Sequence, residues 1–98
     1  MYSIEFTYRA EAQLDACVAW LRTHGADHVL HDELARAFAV LRVMPRAGVP
    51  VVLAPAPPLR RLLLRRSRLH LYYSLEEARR VVLLRAVWHT ARGEPPPL

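Results

Sequence analysis

The chemistry in this sequence is concentrated around His70, with Arg61, Arg65 and Arg85 as its candidate companions. An imidazole can give or take a proton near neutral pH, and guanidinium groups beside it can hold a phosphate and the charge that builds on it. Together they could cleave RNA. Strand alternation places them on one side: Leu69, Leu71, Tyr73 and Leu75 point one way, and Arg68, His70, Tyr72 and Ser74 the other. Carried to the neighbouring segments, the second face gains Arg61 and Arg65 on one side and Arg85 on the other. That makes an arginine surface with a ring in it, suited to phosphate and base contacts. A solvated face that keeps a half-open sheet from aggregating accounts for the same charges.

Other constellations are thinner. His24, His28 and His31 lie near Asp27 and Asp32 at a helix start, but Gly25 breaks the helix between the first and the others, so no metal site is expected. Ser67 and Ser74 have no acid beside His70 or His89 to complete a hydrolytic triad. Three glycines build no phosphate loop, and no cofactor is expected. Cys17 is the single cysteine and falls on an apolar helix stripe, where a buried, inert thiol is expected.

Charge is unevenly spread. All 14 basic residues are arginine; residues 1–58 hold five against six acids, and residues 59–98 hold nine against three. The second half therefore suits an anionic partner, either nucleic acid or an acidic protein segment. At 98 residues and 53% hydrophobic content the chain makes one folded domain with a modest core. No basic segment followed by an apolar one opens the chain, and the longest uncharged run contains four prolines, so a cytoplasmic location without membrane contact is expected.

The elements that position these residues follow from periodicity. Tyr2, Ile4, Phe6 and Tyr8 alternate with polar residues as a half-buried strand does, and Thr7 can cap a helix from Tyr8 to the stop at His24-Gly25. Leu14, Cys17, Val18 and Leu21 form its apolar stripe. A second helix runs from Asp27 on Leu30, Leu34, Ala37, Phe38, Leu41 and Met44, and Pro45 ends it. The short link predicts an antiparallel helical hairpin. Residues 46–58 read as a proline-rich extended connector rather than a central strand. Strands over about 59–66, 69–75 and 80–88 follow, joined by hairpins without the usual turn glycines. The predicted fold is α+β, in the order β-α-α-β-β-β, an antiparallel sheet with the helical hairpin on one face and a frayed tail at 93–98.

With these parts in order, the chain resembles the RelE/ParE superfamily of toxins from bacterial type II toxin-antitoxin modules. The likeness rests on IEFTYRAEAQLDACVAWL, on AFAVLRVMPRAGVP, and on LRRLLLRRSRLHLYYSLEEARRVVLLRAVWHTAR. It implies a toxin held inactive by an antitoxin that wraps it with an extended segment. RelE-like members of that superfamily cut messenger RNA in the ribosome with basic residues on the concave sheet face, and ParE-like members poison DNA gyrase. Arg61 stands where the cleaving members carry a basic residue, Leu63 where a second is expected, and His70 in place of an arginine. VWHTAR and MPRAG resemble the ParE-like branch. The resemblance thus implies a gyrase inhibitor neutralised by a ParD-like antitoxin, with DNA contacted only through the antitoxin complex. Target contacts are expected from Arg61, Arg65, Arg68, Tyr72, Arg85, His89 and Arg92, and antitoxin contacts from Leu14, Val18, Leu21, Leu34, Phe38 and Leu41. The alternatives are a ribosome-dependent endonuclease using His70 with Arg61, Arg65 and Arg85, and an inactive toxin that serves only as an antitoxin-binding co-repressor.

Overall fold

Thr7 is where strand becomes helix. Its hydroxyl accepts from the Ala10 amide at 3.1 Å while its own amide donates to Leu84 O at 2.9 Å, so one residue caps α1 and ties its start to the sheet. In the computed structural model, which describes residues 1–51 and 57–90, β1 is Ser3–Phe6, α1 Tyr8–Thr23 and α2 Asp27–Val43. Strands β2 (Val49–Val51), β3 (Leu59–Leu64), β4 (Leu69–Glu76) and β5 (Val81–His89) complete the chain order. Gly25 adopts φ +68° in the link between the helices, the conformation expected of it, and the Ala26 amide returns to Leu21 O at 2.9 Å.

The α+β class and the hairpin on one sheet face are as the sequence predicts. Two details differ. The sheet is mixed, in the order β1-β5-β4-β3-β2, because β1 pairs parallel to β5 while the other neighbours are antiparallel. The connector also contributes a fifth strand: Val49 to Val51 pair with Arg61 to Leu59. Pro50 is tolerated there because β2 is an edge strand three residues long, so one side of it needs no donor. Residues 52–56 and the tail predicted to fray lie outside the described residues.

The two hairpin turns, at residues 65–68 and 77–80, are four residues long. Each ends on an arginine in the left-handed region, Arg68 at φ 58° and Arg80 at φ 53°, where a glycine would ordinarily stand. β5 carries a bulge opposite the step from Tyr72 to Tyr73, since Tyr72 faces Ala86 and Tyr73 faces Leu84. Arg85 is the extra residue. Beyond the bulge the Val87 amide donates to Gln13 Oε1 at 2.8 Å, so α1 satisfies a backbone group on the edge that β1 leaves uncovered.

One face of the sheet meets the helices. Leu64, Leu69, Leu71, Tyr73, Val82, Leu84 and Val87 pack there against Ala10, Cys17 and Leu21 of α1 and Leu30, Leu34, Ala37 and Leu41 of α2. Tyr2, Ile4 and Phe6 flank them, with the Phe6 ring edge-on to Phe38 at 5.9 Å. Among the described residues no helix is long and apolar enough to cross a membrane.

Tyr73 is the largest fully buried side chain, and its hydroxyl holds the turn that leaves α2. It donates to Pro45 O at 2.7 Å and accepts from Gly48 N at 2.9 Å. Burial pushes the phenol above its ordinary value, so it stays protonated and able to donate. A Cβ on Gly48 would lie 2.7 Å from the Tyr73 oxygen and 2.9 Å from Arg61 O, which leaves no room for any other residue. Tyr73→Phe is expected to lower stability by about 1–3 kcal/mol, chiefly by stranding the Gly48 amide, and Gly48→Ala by at least as much. Urea unfolding of the two variants measures both.

Candidate functional site

The sheet face turned away from the helices is built in rows. Leu63, His70 and Trp88 stand side by side across β3, β4 and β5, and Arg61, Tyr72 and Ala86 form the next row. His70 lies 4.9 Å from Trp88 and 6.4 Å from Tyr72 by ring centroids. Its Nδ1 and the Trp88 Nε1 are buried and make no hydrogen bond, while its Nε2 is 3.3 Å from Thr90 Oγ1. Burial, and after it the charges of Arg61 and His89, hold the imidazole below its ordinary pKa. At neutral pH it is uncharged.

Only some of the predicted target contacts share this face. Arg61, Tyr72 and Arg85 lie on it with His70, and Tyr72 is buried rather than displayed. Arg85 Nε donates to Ser74 Oγ at 2.7 Å, further along β4 than Tyr72. Arg65 and Arg68 sit in the 65–68 turn, where the Arg68 carbonyl accepts from the amide and the hydroxyl of Thr90. His89 is buried on the helix side, its ring 4.7 Å from that of Trp20. Arg92 lies outside the described residues. Arg61, Arg65 and Arg85 are therefore not gathered around His70 as a catalytic set.

The residues expected to meet an antitoxin lie against the sheet. Leu21, Leu34 and Leu41 are buried in the core, and Leu14, Val18 and Phe38 are packed against it. Leu14, Val18 and Phe38 keep part of their surface exposed, and Leu21, Leu34 and Leu41 keep almost none. The exposed apolar residues are others, Val40, Val43, Met44, Val49 and Leu63 among them. Val40 and Leu63 belong to a groove of about 300 Å³ between α2 and β3, with Ala37 and Leu62 in its floor and Arg36, Arg65 and Arg66 around it. Strand β2 pairs with β3 only at residues 59–61, so Leu62 to Leu64 have no strand neighbour on that side among the described residues. An apolar groove beside an open strand edge, with arginines around it, can take an extended acidic segment.

Glu33 of α2 closes one end of this groove. Its carboxylate accepts from the Arg66 amide at 3.0 Å and the Ser67 amide at 2.6 Å, fixing the 65–68 turn to the helix. Partial burial raises its pKa, but hydrogen bonds from Ser67 and from the Arg66 amide, with the Arg66 charge, outweigh that and leave it below the ordinary value. The histidines near the helix link do not assemble. His24 Nδ1 is 2.8 Å from Trp20 O, and among the described residues no group of three or more His, Cys, Asp or Glu comes together.

A strand, a helical hairpin and a meander with one basic face define a fold, and comparison with known families supplies the rest. The model of the ParE toxin of the type II toxin-antitoxin system, parDE, matches residues 4–93. The chain belongs to the ParE toxin family. No curated protein and no solved structure matches it. Membership makes the chain the toxin of a type II module and implies an antitoxin partner. For this ParE toxin the sequence reading missed Gln13, Glu33 and Gly48, whose roles rest on contacts 34 to 74 residues away or on a tyrosine 25 residues on.

Glu33 offers a direct check on the groove. Its folded pKa lies below the ordinary 4.5, so its contribution is present above that value and is lost as pH falls through the folded one. Glu33→Ala is expected to cost about 1–2 kcal/mol at pH 7, with the gap to the parent closing as the solution is acidified below pH ~4.5. Thermal unfolding across pH 3–7 reads this.

Proposed function

We propose that this ParE toxin acts by binding DNA gyrase and not by cutting RNA. A ParD-like antitoxin neutralises it by laying an extended acidic segment along the groove between α2 and β3. The observation that carries the first part is Leu63, 42% exposed and directly across from His70. A leucine at that point offers nothing to a phosphate, and the imidazole beside it is neutral and half-buried. Proton transfer from His70 would have to proceed with Arg61 alone nearby, because Arg65 stands in the 65–68 turn and Arg85 is bonded to Ser74. What the face does present is arginine, indole and leucine side by side, a composition suited to a protein surface. DNA contact belongs to the antitoxin in the complex.

The second part rests on chemistry of the same kind. The groove has an apolar floor, three arginines and the open Leu62 to Leu64 backbone, so main-chain pairing would supply affinity and acidic side chains would supply fit.

Purified toxin added to gyrase and relaxed plasmid is expected to block supercoiling and to trap cleaved DNA on the enzyme. His70→Ala is expected to keep full toxicity in cells, which filament and induce their DNA-damage response. Failure to affect gyrase, or loss of toxicity in His70→Ala together with cut transcripts from the parent, would reverse the assignment to the nuclease.

A further inference from the structure

The 65–68 turn is gripped on two sides. On the helix side the Glu33 carboxylate accepts from the Arg66 and Ser67 amides. On the open side Thr90, just beyond β5, closes on Arg68: its amide donates to Arg68 O at 2.9 Å and its hydroxyl to the same oxygen at 2.8 Å. Arg68 is the residue held in the left-handed region at φ 58°, so this grip falls where the turn's backbone is strained. Arg65, Arg66 and Arg68 also set three like charges within the turn, which oppose one another.

Thr90 has a second neighbour. Its Oγ1 lies 3.3 Å from His70 Nε2. A threonine hydroxyl has one hydrogen, and the shorter contact to Arg68 O claims it, so toward His70 the oxygen accepts and the neutral ring carries its proton on Nε2. Nδ1 is then the bare nitrogen, buried and without a hydrogen bond among the described residues, in one row with the equally buried indole N–H of Trp88. Protonation would set a second N–H there with no acceptor, beside a ring that offers only another donor.

We infer that His70 and Thr90 form an acid-released latch that fastens the end of β5 to the 65–68 turn, with His70 as the group that senses pH and Glu33 as the turn's second fastening. The ring's charged and titratable neighbours are Arg61 of β3, Tyr72 of its own strand, Arg68 of the turn and His89 of β5, and the charges of Arg61 and His89 disfavour a charged imidazole. A latched ring therefore takes up a proton less readily than a released one. The latch holds in full above the ordinary value of 6.5 and is lost as pH falls through the lower, latched value. Glu33 stays ionised to below 4.5, so just above that point the turn still hangs from α2 while its hold on β5 weakens. At neutral pH the latch adds to a turn that Glu33 already holds, and its loss leaves the fold intact. Arg65 and Arg66 belong both to the turn and to the groove between α2 and β3, so acid loosens that end of the groove whichever partner or target the toxin has.

The test is NMR on the full chain, with a hydrogen–nitrogen correlation spectrum of the imidazole rings and amide exchange read as protection factors. Near neutral pH the His70 proton is expected on Nε2. Between about pH 7.5 and about pH 5 the protection of the Thr90 amide is expected to fall by roughly fivefold or more, while that of Leu71 holds. H70Q, whose side-chain amide donates to Thr90 and takes up no proton, should keep Thr90 protection within about twofold across the same range. T90V, which lacks the hydroxyl, should lose the pH step as well and carries the test should H70Q not fold. A proton on Nδ1, Thr90 protection indifferent to pH in the parent, or a step that persists in the variants would overturn the inference. So would a fall at Leu71 as large as that at Thr90.

Discussion

A single phenol ties this molecule's core to its edge. Tyr73 is fully buried beneath the helical hairpin, and its hydroxyl bonds both Pro45 O and Gly48 N. Those two residues bracket the turn by which the chain leaves α2 and enters the sheet. Arg60 reinforces the same turn, its Nη1 donating to Gly48 O at 2.8 Å and Arg46 O at 3.1 Å. The placement of β2 against β3 follows from it, and with that the point where β2 stops and β3 is left open. A hydroxyl with neither partner would be a buried polar group at a cost of a few kcal/mol, so the arrangement is held from both sides.

From that anchor the two faces of the sheet divide their work. The helix face is mainly apolar, with His89 among its few polar groups, and the residues that seal it are largely buried. The other face carries Arg61, His70, Trp88 and Arg85 over a buried Tyr72, and the open edge adds Arg36, Arg65 and Arg66. The acids that might neutralise these arginines are used in fixing turns: Glu33 holds the 65–68 turn by its amides, and Glu76 and Glu5 hold Arg79. A net charge of +5 is in this way concentrated where partners would dock. This arrangement supports recognition of acidic protein surfaces better than it supports proton transfer, for which His70 has no assembled set of companions.

Much of this was legible in the sequence, for definite reasons. The alternation from Tyr2 to Phe6, the helix stripes and the proline at 45 are local signals, and they placed the first strand, both helices and the break after α2 to within a residue or two. Sorting β4 into Leu69, Leu71 and Tyr73 against His70 and Tyr72 also reads directly from period two. What periodicity cannot express is contact between distant parts. The bulge at Arg85 breaks the alternation it would be read from, and the parallel pairing of β1 with β5 joins segments some 78 residues apart. β2 was hidden by Pro50, whose missing donor matters only on a paired side. An apolar helix stripe marks what is buried, whether by the chain itself or by a partner, and here the sheet covers most of it.

The measurement that bears most directly on this account is hydrogen exchange at the Gly48 amide. Bonded to a buried phenol, it should exchange nearly as slowly as the amides of β4, and in Tyr73→Phe its protection should fall roughly tenfold to hundredfold while that of Leu71 changes far less. A Gly48 amide that exchanges at the rate of the exposed 77–80 turn in the parent protein, or one indifferent to loss of the hydroxyl, would contradict the claim that Tyr73 organises the edge.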